Sequence, residues 1–262
     1  MQNRYVGDVG DFGKYGLLRS LSAGLSLGVV WYLAPDEGHN ADGKHVSYLE
    51  PSAANLARYG GCDRELYNAL AEIVRDGQRS VDSVRERGVL PTGTVFYDAL
   101  LTYDGMPAIG PRAQAARLDH RRRWVDQALR ATEGCDLVFL DPDNGLEAGT
   151  RRHERLGPKY VYMDELQPYL HRGQSLVVYH HLDRSAPAPE QVARLLARLG
   201  DRLEGSRQLQ ALLYRRGTLR AFLVIPAPSH DAVLADRIGR FVGDPWSRHF
   251  DHQTAPGSTV AA

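Results

Sequence analysis

CDLVFLDPDNGLE, residues 135–147, combines a buried strand with an abrupt polar turn. The apolar run Leu137–Leu140 has the length of a strand and no polar alternation, which is typical of a strand covered on both faces in a parallel sheet. The run ends in Asp-Pro-Asp-Asn-Gly, where proline and glycine favour a tight turn. Ligands of open α/β sheets bind beyond the carboxyl ends of such strands. The turn is therefore our first candidate site, and a plain solvated turn is the alternative.

Two further apolar runs end in polar clusters. Residues 27–33 (LGVVWYL) lead into a loop, 34–45, that contains Asp36, Glu37, Gly38 and His39. Residues 175–179 (SLVVY) lead into a cluster at 180–184 that begins with two histidines. Because the carboxyl ends of parallel strands share one edge of a sheet, we expect the three clusters to converge on one cleft.

The order of the patterns predicts the fold class. Continuously apolar strands alternate with helical patterns, which indicates an α/β, Rossmann-like, mainly parallel sheet flanked by helices. Residues 51–90 show helical periodicity and predict a helical insertion. Two apolar strands around residues 215–218 predict a C-terminal antiparallel hairpin. We expect a single domain over residues 1–250, followed by a disordered tail at 251–262.

Composition limits the possible partners. The 262 residues carry 32 basic and 32 acidic side chains, so the formal net charge is zero. This balance argues against strong non-specific polyanion binding by the whole chain, although it allows a local basic patch. The sequence shows no leader pattern and no apolar run of membrane-spanning length. We therefore expect a cytoplasmic protein with reduced cysteines and no membrane partner.

The opening residues 3–19 (NRYVGDVGDFGKYGLLR) are rich in glycine and charge. We expect Asp11 to cap a helix that runs to about Gly24, with a bent loop over residues 7–10 before it. Asp8, Asp11 and Lys14 then either line a site or belong to a helix entry packed on the domain. The sequence leaves both interpretations open.

Two basic runs, 117–123 and 151–155, flank the central strand in sequence. Such runs are usually solvated helix or loop surfaces, but arginines beside aromatic residues also contact phosphates and bases. The candidate substrate-binding residues are Arg122, Arg151, Arg152 and Tyr160. The partner they would fit is nucleic acid or a phosphate-bearing small substrate.

Three short stretches resemble the ribosomal RNA adenine-N6 methyltransferases, a group of class I S-adenosylmethionine-dependent enzymes. Residues 5–15 are similar in spacing to the family's opening segment, and residues 33–43 stand where its cofactor loop follows the first strand. Asp141-Pro142-Asp143-Asn144 stands where the family has Asp-Pro-Pro-Tyr. A parallel sheet closed by a C-terminal hairpin also matches the class I topology. Asp143 and Asn144 depart from the motif, and the loop lacks a full Gly-x-Gly-x-Gly.

The resemblance implies a cofactor and a division of roles. S-adenosylmethionine would be held by Asp8, Lys14, Asp36, Glu37, Gly38 and His39. Catalysis would fall to Asp141, Asp143, Asn144 and His180, with Asp141 accepting hydrogen bonds from the target amino group. The implied activity is N-methylation of a nucleic-acid base.

The same clusters allow two other functions. Carboxylates and histidines bind divalent metals and act as acids and bases, which suits a nuclease or a metal-independent glycosidic-bond hydrolase that acts on nucleic acid or nucleotides. A metal such as Mg²⁺ would then be held by Asp36, Asp141, Asp143 and His181. Adjacent strand residues point to opposite faces, so we expect one histidine of the His180–His181 pair to be structural. A non-catalytic nucleic-acid-binding module is the third possibility.

Overall fold

The computed structural model describes residues 1–36, 43–205, 208–243 and 245–255. Its strands are β1 (Leu27–Trp31), β2 (Val95–Tyr97), β3 (Leu137–Asp141), β4 (Gly145–Leu146), β5 (Tyr160–Val161), β6 (Ser175–His181), β7 (Gln210–Tyr214), β8 (Arg220–Ile225) and β9 (Phe250–Thr254). Its α-helices are α1 (Val9–Leu21), α2 (Ala53–Asn55), α3 (Arg64–Arg75), α4 (Val81–Glu86), α5 (Pro111–Ala131), α6 (Met163–His171), α7 (Ala188–Arg202) and α8 (Asp231–Phe241).

The central sheet has seven strands in the order β2-β1-β3-β6-β8-β7-β9. β2, β1, β3 and β6 run parallel to one another. β8 is antiparallel to both β6 and β7, and β9 is antiparallel to β7. β4 and β5 form a separate small parallel sheet. The α/β class, the mainly parallel Rossmann-like sheet and the C-terminal hairpin are thus confirmed.

Two apolar cores lie on opposite faces of the sheet. Phe139 packs in the core that contains residues of α1, α3 and α8, whereas its neighbour Leu140 packs in the core that contains residues of α5, α6 and α7. Side chains of a strand alternate between faces, so Asp141 points to the same face as Phe139. The carboxyl end of β3 therefore turns its aspartate toward α1.

The helical insertion lies between β1 and β2. It comprises α2, a π-helical turn at Leu56–Gly60, α3 and α4. Leu66, Leu70 and Ile73 on α3 are buried in the α1-side core, as their spacing along the helix predicts. This confirms the insertion expected at residues 51–90.

The start of α1 differs from the expectation. Asp8, not Asp11, caps the helix, because an Asp8 carboxylate oxygen accepts a hydrogen bond of 2.8 Å from the backbone N–H of Gly10. The other oxygen of Asp8 accepts from the N–H of His45 at 3.1 Å. Residues 9 and 10 are helical rather than part of a bent loop, and Asp11 is buried in the first turn.

Three glycines on α1 allow its backbone to contact the C-terminal part of the sheet. A Cβ added at Gly10 would lie 1.1 Å from Nη1 of Arg220, and one at Gly13 would lie 2.5 Å from Cε2 of Tyr214. A Cβ at Gly16 would lie 2.2 Å from Cη2 of Trp246. Gly10 and Gly13 therefore serve close packing of α1 on the sheet, and Gly16 serves close packing on the segment before β9. The hydroxyl of Tyr214 fixes the contact with the sheet by donating to the carbonyl of Val9 at 2.8 Å.

Residues 251–254 are not a disordered tail. They belong to β9, which pairs with β7 from Gln210↔Thr254 to Tyr214↔Phe250. The aromatic ring of Phe250 anchors the strand, since its centroid lies 4.8 Å from that of Tyr214 and 5.0 Å from that of Phe241. Residues 256–262 of the expected tail lie outside the described residues.

Among the described residues, no helix is both long and apolar enough to cross a bilayer. The longest of them, α5, has 21 residues and is rich in arginine.

Replacing Gly13 with alanine tests the close packing of α1. The added methyl group meets the buried ring of Tyr214, so we expect a loss of about 1–3 kcal/mol in the free energy of unfolding. Gly239→Ala in α8 is the matched control, because a Cβ there meets no atom within 4 Å. The control should be neutral or stabilising by up to about 1 kcal/mol. Urea unfolding curves measure both, and equal effects would contradict the packing argument.

Candidate functional site

A cavity of about 320 Å³ opens where the carboxyl ends of β3 and β6 face α1. α1 and its cap contribute Asp8, Asp11 and Lys14, and the turn after β3 contributes residues 141–144. The rest of the wall comes from other elements: Met1, Tyr5, Gly43, His45, Lys159, Tyr179, His181, Thr218 and Arg220. The 34–45, 141–147 and 180–184 clusters each supply residues to this wall, as expected from the parallel sheet.

Lys14 is the central cation of the cavity. Its Nζ lies 2.8 Å from Oδ1 of Asp11 and 2.8 Å from Oδ2 of Asp141, and all three side chains are buried. Burial alone would lower the pKa of Lys14, but the two carboxylates outweigh burial and hold that pKa above its usual value. The ammonium therefore stays charged, and Lys14 is neither a base nor a nucleophile.

Asp141 has a carboxylate with two opposing influences. Burial raises the pKa of Asp141, and the charge of Lys14 acts against this rise. The neighbouring carboxylate of Asp11 has a donor besides Lys14, because the hydroxyl of Tyr15 donates to it at 3.1 Å. Asp141 is thus a buried carboxylate at the end of β3 whose pKa is raised by burial and opposed in that rise by the charge of Lys14.

Asp143 is held by a different set of cations. It forms ion pairs with the amino group of Met1 and, at 3.5 Å, with Nζ of Lys159. Nε2 of Gln2 donates to it at 3.3 Å. Burial would raise the pKa of Asp143, but the Met1 ammonium and Lys159 bring it below its usual value. Lys159 was not predicted as a site residue, because it lies away from Asp143 in the sequence and precedes a strand of only two residues.

Asn144 and Gly145 shape the turn after β3. Asn144 donates its backbone N–H to the carbonyl of Lys159 at 2.9 Å and accepts from the N–H of His181 at 3.2 Å. Gly145 has φ of 109°, and a Cβ there would lie 2.4 Å from Nδ1 of His180. Only glycine fits this combination of left-handed backbone and close contact.

The two histidines of β6 have different places. His180 does not line the cavity; its Nδ1 accepts from the N–H of Leu146 at 3.0 Å. Burial lowers the pKa of His180 to about 4, so it is a neutral acceptor that holds the turn. His181 lies on the opposite face and lines the cavity. The geometry therefore gives His180 a structural place rather than the catalytic one we expected, and one histidine of the pair is structural as the alternation predicted.

Arg220 is a cavity residue that sequence reasoning missed. Its Nη2 donates to Oγ1 of Thr218 at 2.7 Å, its Nε donates to the carbonyl of Thr218 at 3.2 Å, and its Nη1 lies 3.9 Å from Asp8. The signal in the sequence was a lone arginine at the start of an otherwise apolar strand. Such a residue is buried only where a partner or a cavity receives its charge.

The predicted cofactor residues are only partly assembled. Asp8 and Lys14 line the cavity. Asp36 is not among the lining residues, and its Oδ1 accepts from the backbone N–H of Arg4 at 3.3 Å. Glu37, Gly38 and His39 lie outside the described residues.

The predicted substrate residues lie away from the cavity wall. Arg122 is exposed on α5 and pairs with Asp119 at 2.7 Å. Arg152 pairs with Asp164, and Arg151 is exposed in the same loop. Tyr160 is half-buried in β5, and its backbone carbonyl accepts a hydrogen bond of 2.7 Å from Nη2 of Arg121. None of the four predicted residues lines the cavity.

The alternative metal set is not brought together. Within the described ranges, no group of three or more His, Cys, Asp or Glu side chains is arranged to hold a metal ion. Asp141 is paired with Lys14, and Asp143 with Lys159 and the Met1 ammonium. Asp36 and His181 thus do not form a metal site with these two carboxylates.

No match was found when the chain was compared with protein-family models, with curated proteins and with solved structures. The function is therefore inferred from the chemistry of the cavity. Ionised carboxylates accept hydrogen bonds from amino groups, and buried cations bind anionic groups. The cavity offers both, which suits a ligand that carries an amine and an anionic group.

Replacing Lys14 with methionine tests the charge balance of the cavity. It leaves Asp11 and Asp141 buried without their cation, so we expect a loss of about 3–5 kcal/mol in unfolding free energy at neutral pH. The loss should shrink toward pH 4. The folded variant keeps Asp141 protonated, whereas the unfolded chain releases that proton above about pH 3.9, so stability falls as pH rises.

Urea unfolding at several pH values measures this dependence. Lys14→Met combined with Asp141→Asn is the control, because it removes a buried carboxylate together with its cation. The double variant should recover part of the lost stability and show a weaker pH dependence. A Lys14→Met variant whose stability loss does not change between pH 4 and 8 would contradict the ion-pair network.

Proposed function

We propose that this protein is an S-adenosylmethionine-dependent enzyme that methylates an amino group of a nucleic-acid base. The observation that carries the proposal is Asp141, a cavity-lining carboxylate held by Lys14 at the carboxyl end of β3. The sheet supports it, because β8 lies antiparallel between the codirectional β6 and β7, as expected for a class I topology closed by a hairpin.

The charged wall of the cavity fits the amino-acid end of S-adenosylmethionine. That end carries an ammonium and a carboxylate. Asp8 and Asp143 provide carboxylates for the ammonium, and Arg220 and Lys159 provide cations for the carboxylate. Gly43, with φ of 79°, lets the chain after β1 pack against residues 4 and 5 at the cavity wall, since a Cβ there would lie 2.6 Å from the carbonyl oxygen of Arg4.

Two aromatic residues of the cavity take the place of the tyrosine that the Asp-Pro-Pro-Tyr motif has where this chain has Asn144. Tyr5 and Tyr179 both line the cavity, and Tyr179 lies on β6 beside the turn. A planar base that enters the cavity gains stacking area from such rings. The stacking surface thus comes from other elements than the turn that holds Asp141.

The residues of the chain would have the following roles in methyl transfer. Asp141 accepts a hydrogen bond from the target amine, orients its lone pair and holds the proton that the amine loses. The charge of Lys14 acts against the rise that burial causes in the pKa of Asp141 and so favours its ionised form. When bound, S-adenosylmethionine supplies an electrophilic methyl group. Asn144 and Lys159 hold the turn at the correct distance through their backbone hydrogen bond.

A second candidate is metal-independent cleavage of a glycosidic bond. It is favoured by the opposite shifts of two neighbouring carboxyls: burial raises the pKa of Asp141, whereas the Met1 ammonium and Lys159 outweigh burial and lower the pKa of Asp143. Carboxyls with separated pKa values can share acid and base roles. This candidate predicts abasic products without any need for S-adenosylmethionine.

Titration calorimetry and methyl transfer test the first candidate. We expect S-adenosylmethionine and S-adenosylhomocysteine to bind, and tritiated methyl groups to appear in bulk RNA or DNA. Asp141→Asn should retain cofactor binding and lose about 10²–10⁴-fold in transfer rate, because the orienting carboxylate is gone. Asp136→Asn is the matched control at the other end of β3, where the carboxylate binds Ser26.

The control should transfer methyl groups at the native rate. No binding of either ligand at millimolar concentration would contradict methyl transfer. Abasic products under the same conditions would favour the glycosidic-bond hydrolase. Nucleic-acid binding with neither reaction would favour a binding module.

A further inference from the structure

Four arginines surround one buried histidine beside the cavity. We call Arg58, Arg215, Arg216 and Arg248 the arginine patch. Arg216 donates from Nε to Nδ1 of His249 at 2.9 Å and from Nη2 to the carbonyl of Arg248 at 2.7 Å. Nε2 of His249 donates to the carbonyl of Arg58 at 3.1 Å. These contacts bring together the helical insertion, the hairpin turn and the segment before β9.

The arginine patch carries an excess of positive charge. Burial lowers the pKa of His249 to about 4 against the hydrogen bond with the Arg58 carbonyl, and the charges of Arg216, Arg58 and Arg248 add to the lowering, so the histidine is neutral. Within the described ranges, the salt bridge formed by these arginines is that of Arg215 with Asp251, at 3.2 Å. Among the described residues, Arg215 is thus the member of the arginine patch that has a carboxylate partner.

The basic runs singled out in the sequence are different. Arg122 and Arg123 on α5 share Asp119, and Arg152 pairs with Asp164. Each of these arginines thus has a carboxylate partner, and α5 packs on the face of the sheet opposite to α1. Phosphate contacts depend on uncompensated cations, so the arginine patch is the better candidate surface.

The hairpin turn connects the arginine patch with the cavity. Arg215 and Arg216 belong to the hairpin turn, and Thr218 of the same turn lines the cavity. Arg58, Arg215 and Arg248 are exposed. An extended polyanion bound across the patch therefore reaches the turn that carries the cavity residue Thr218.

We propose that the arginine patch binds the sugar–phosphate backbone of a single-stranded nucleic acid and guides one base into the cavity. The inference rests on the proposed function and narrows its substrate, because a mononucleotide does not span the patch and the cavity. Guanidinium groups bind phosphates through paired hydrogen bonds, and the release of counterions makes such binding salt-dependent.

Fluorescence anisotropy with labelled 20-nucleotide RNA and DNA strands tests the proposal without any cofactor. Arg58→Gln/Arg248→Gln removes two exposed charges of the arginine patch, and Arg122→Gln/Arg123→Gln removes two from α5. We expect the first double variant to bind at least roughly tenfold more weakly at 0.1 M salt, with the salt slope reduced by about 1–2. The α5 double variant should bind like the native protein.

Comparison of the RNA and DNA arms identifies the sugar that is recognised. Equal weakening in both double variants would overturn the proposal, since net charge alone would explain it. So would the absence of binding to either strand, or full competition by polyglutamate, which would indicate an acidic protein partner. Strand binding by a protein that does not bind S-adenosylmethionine would support the arginine patch and contradict methyl transfer, so the two failures are distinguishable.

Discussion

The ion pairs of Lys14 with Asp11 and Asp141 are the constraint on which the cavity depends. They join the first turns of α1 to the carboxyl end of β3, and they place charge where burial would otherwise exclude it. A lone buried carboxylate at the end of β3 would become protonated and lose its ability to orient an amine. With Lys14 present, the same site combines a rigid strand, a fixed cation and a carboxylate that faces the cavity.

The packing of α1 makes this arrangement possible. Its glycines allow the helix backbone to approach the C-terminal sheet, so that Arg220 and Tyr214 lie against the helix. This contact sets the cavity between the first helix and a hairpin that follows some two hundred residues later. It also places the hairpin turn, which carries two arginines of the patch, at the cavity wall through Thr218. The close approach of α1 to the sheet thus underlies the packing of the helix, the charges in the cavity and the proposed path of the substrate.

Much of the fold could be predicted from the sequence, because continuous apolar runs such as Leu137–Leu140 identify buried parallel strands. The convergence of the strand-end clusters followed from the same reasoning. The sequence could not assign His180 and His181 to faces, since a one-residue shift in strand register reverses them. Arg220 and Lys159 were missed because their importance comes from contacts between distant segments. The strand at residues 250–254 was missed because a single aromatic anchor, Phe250, gives almost no periodic signal.

Carbon-13 NMR of the aspartate side chains tests most directly whether Asp141 is an ionised carboxylate held by Lys14. The signal of Asp141 is identified by its loss in Asp141→Asn. In the native protein it should have the chemical shift of a carboxylate at pH 7, and in Lys14→Met it should have the shift of the protonated acid at the same pH. A protonated Asp141 in the native protein, or an unchanged signal in Lys14→Met, would contradict the account.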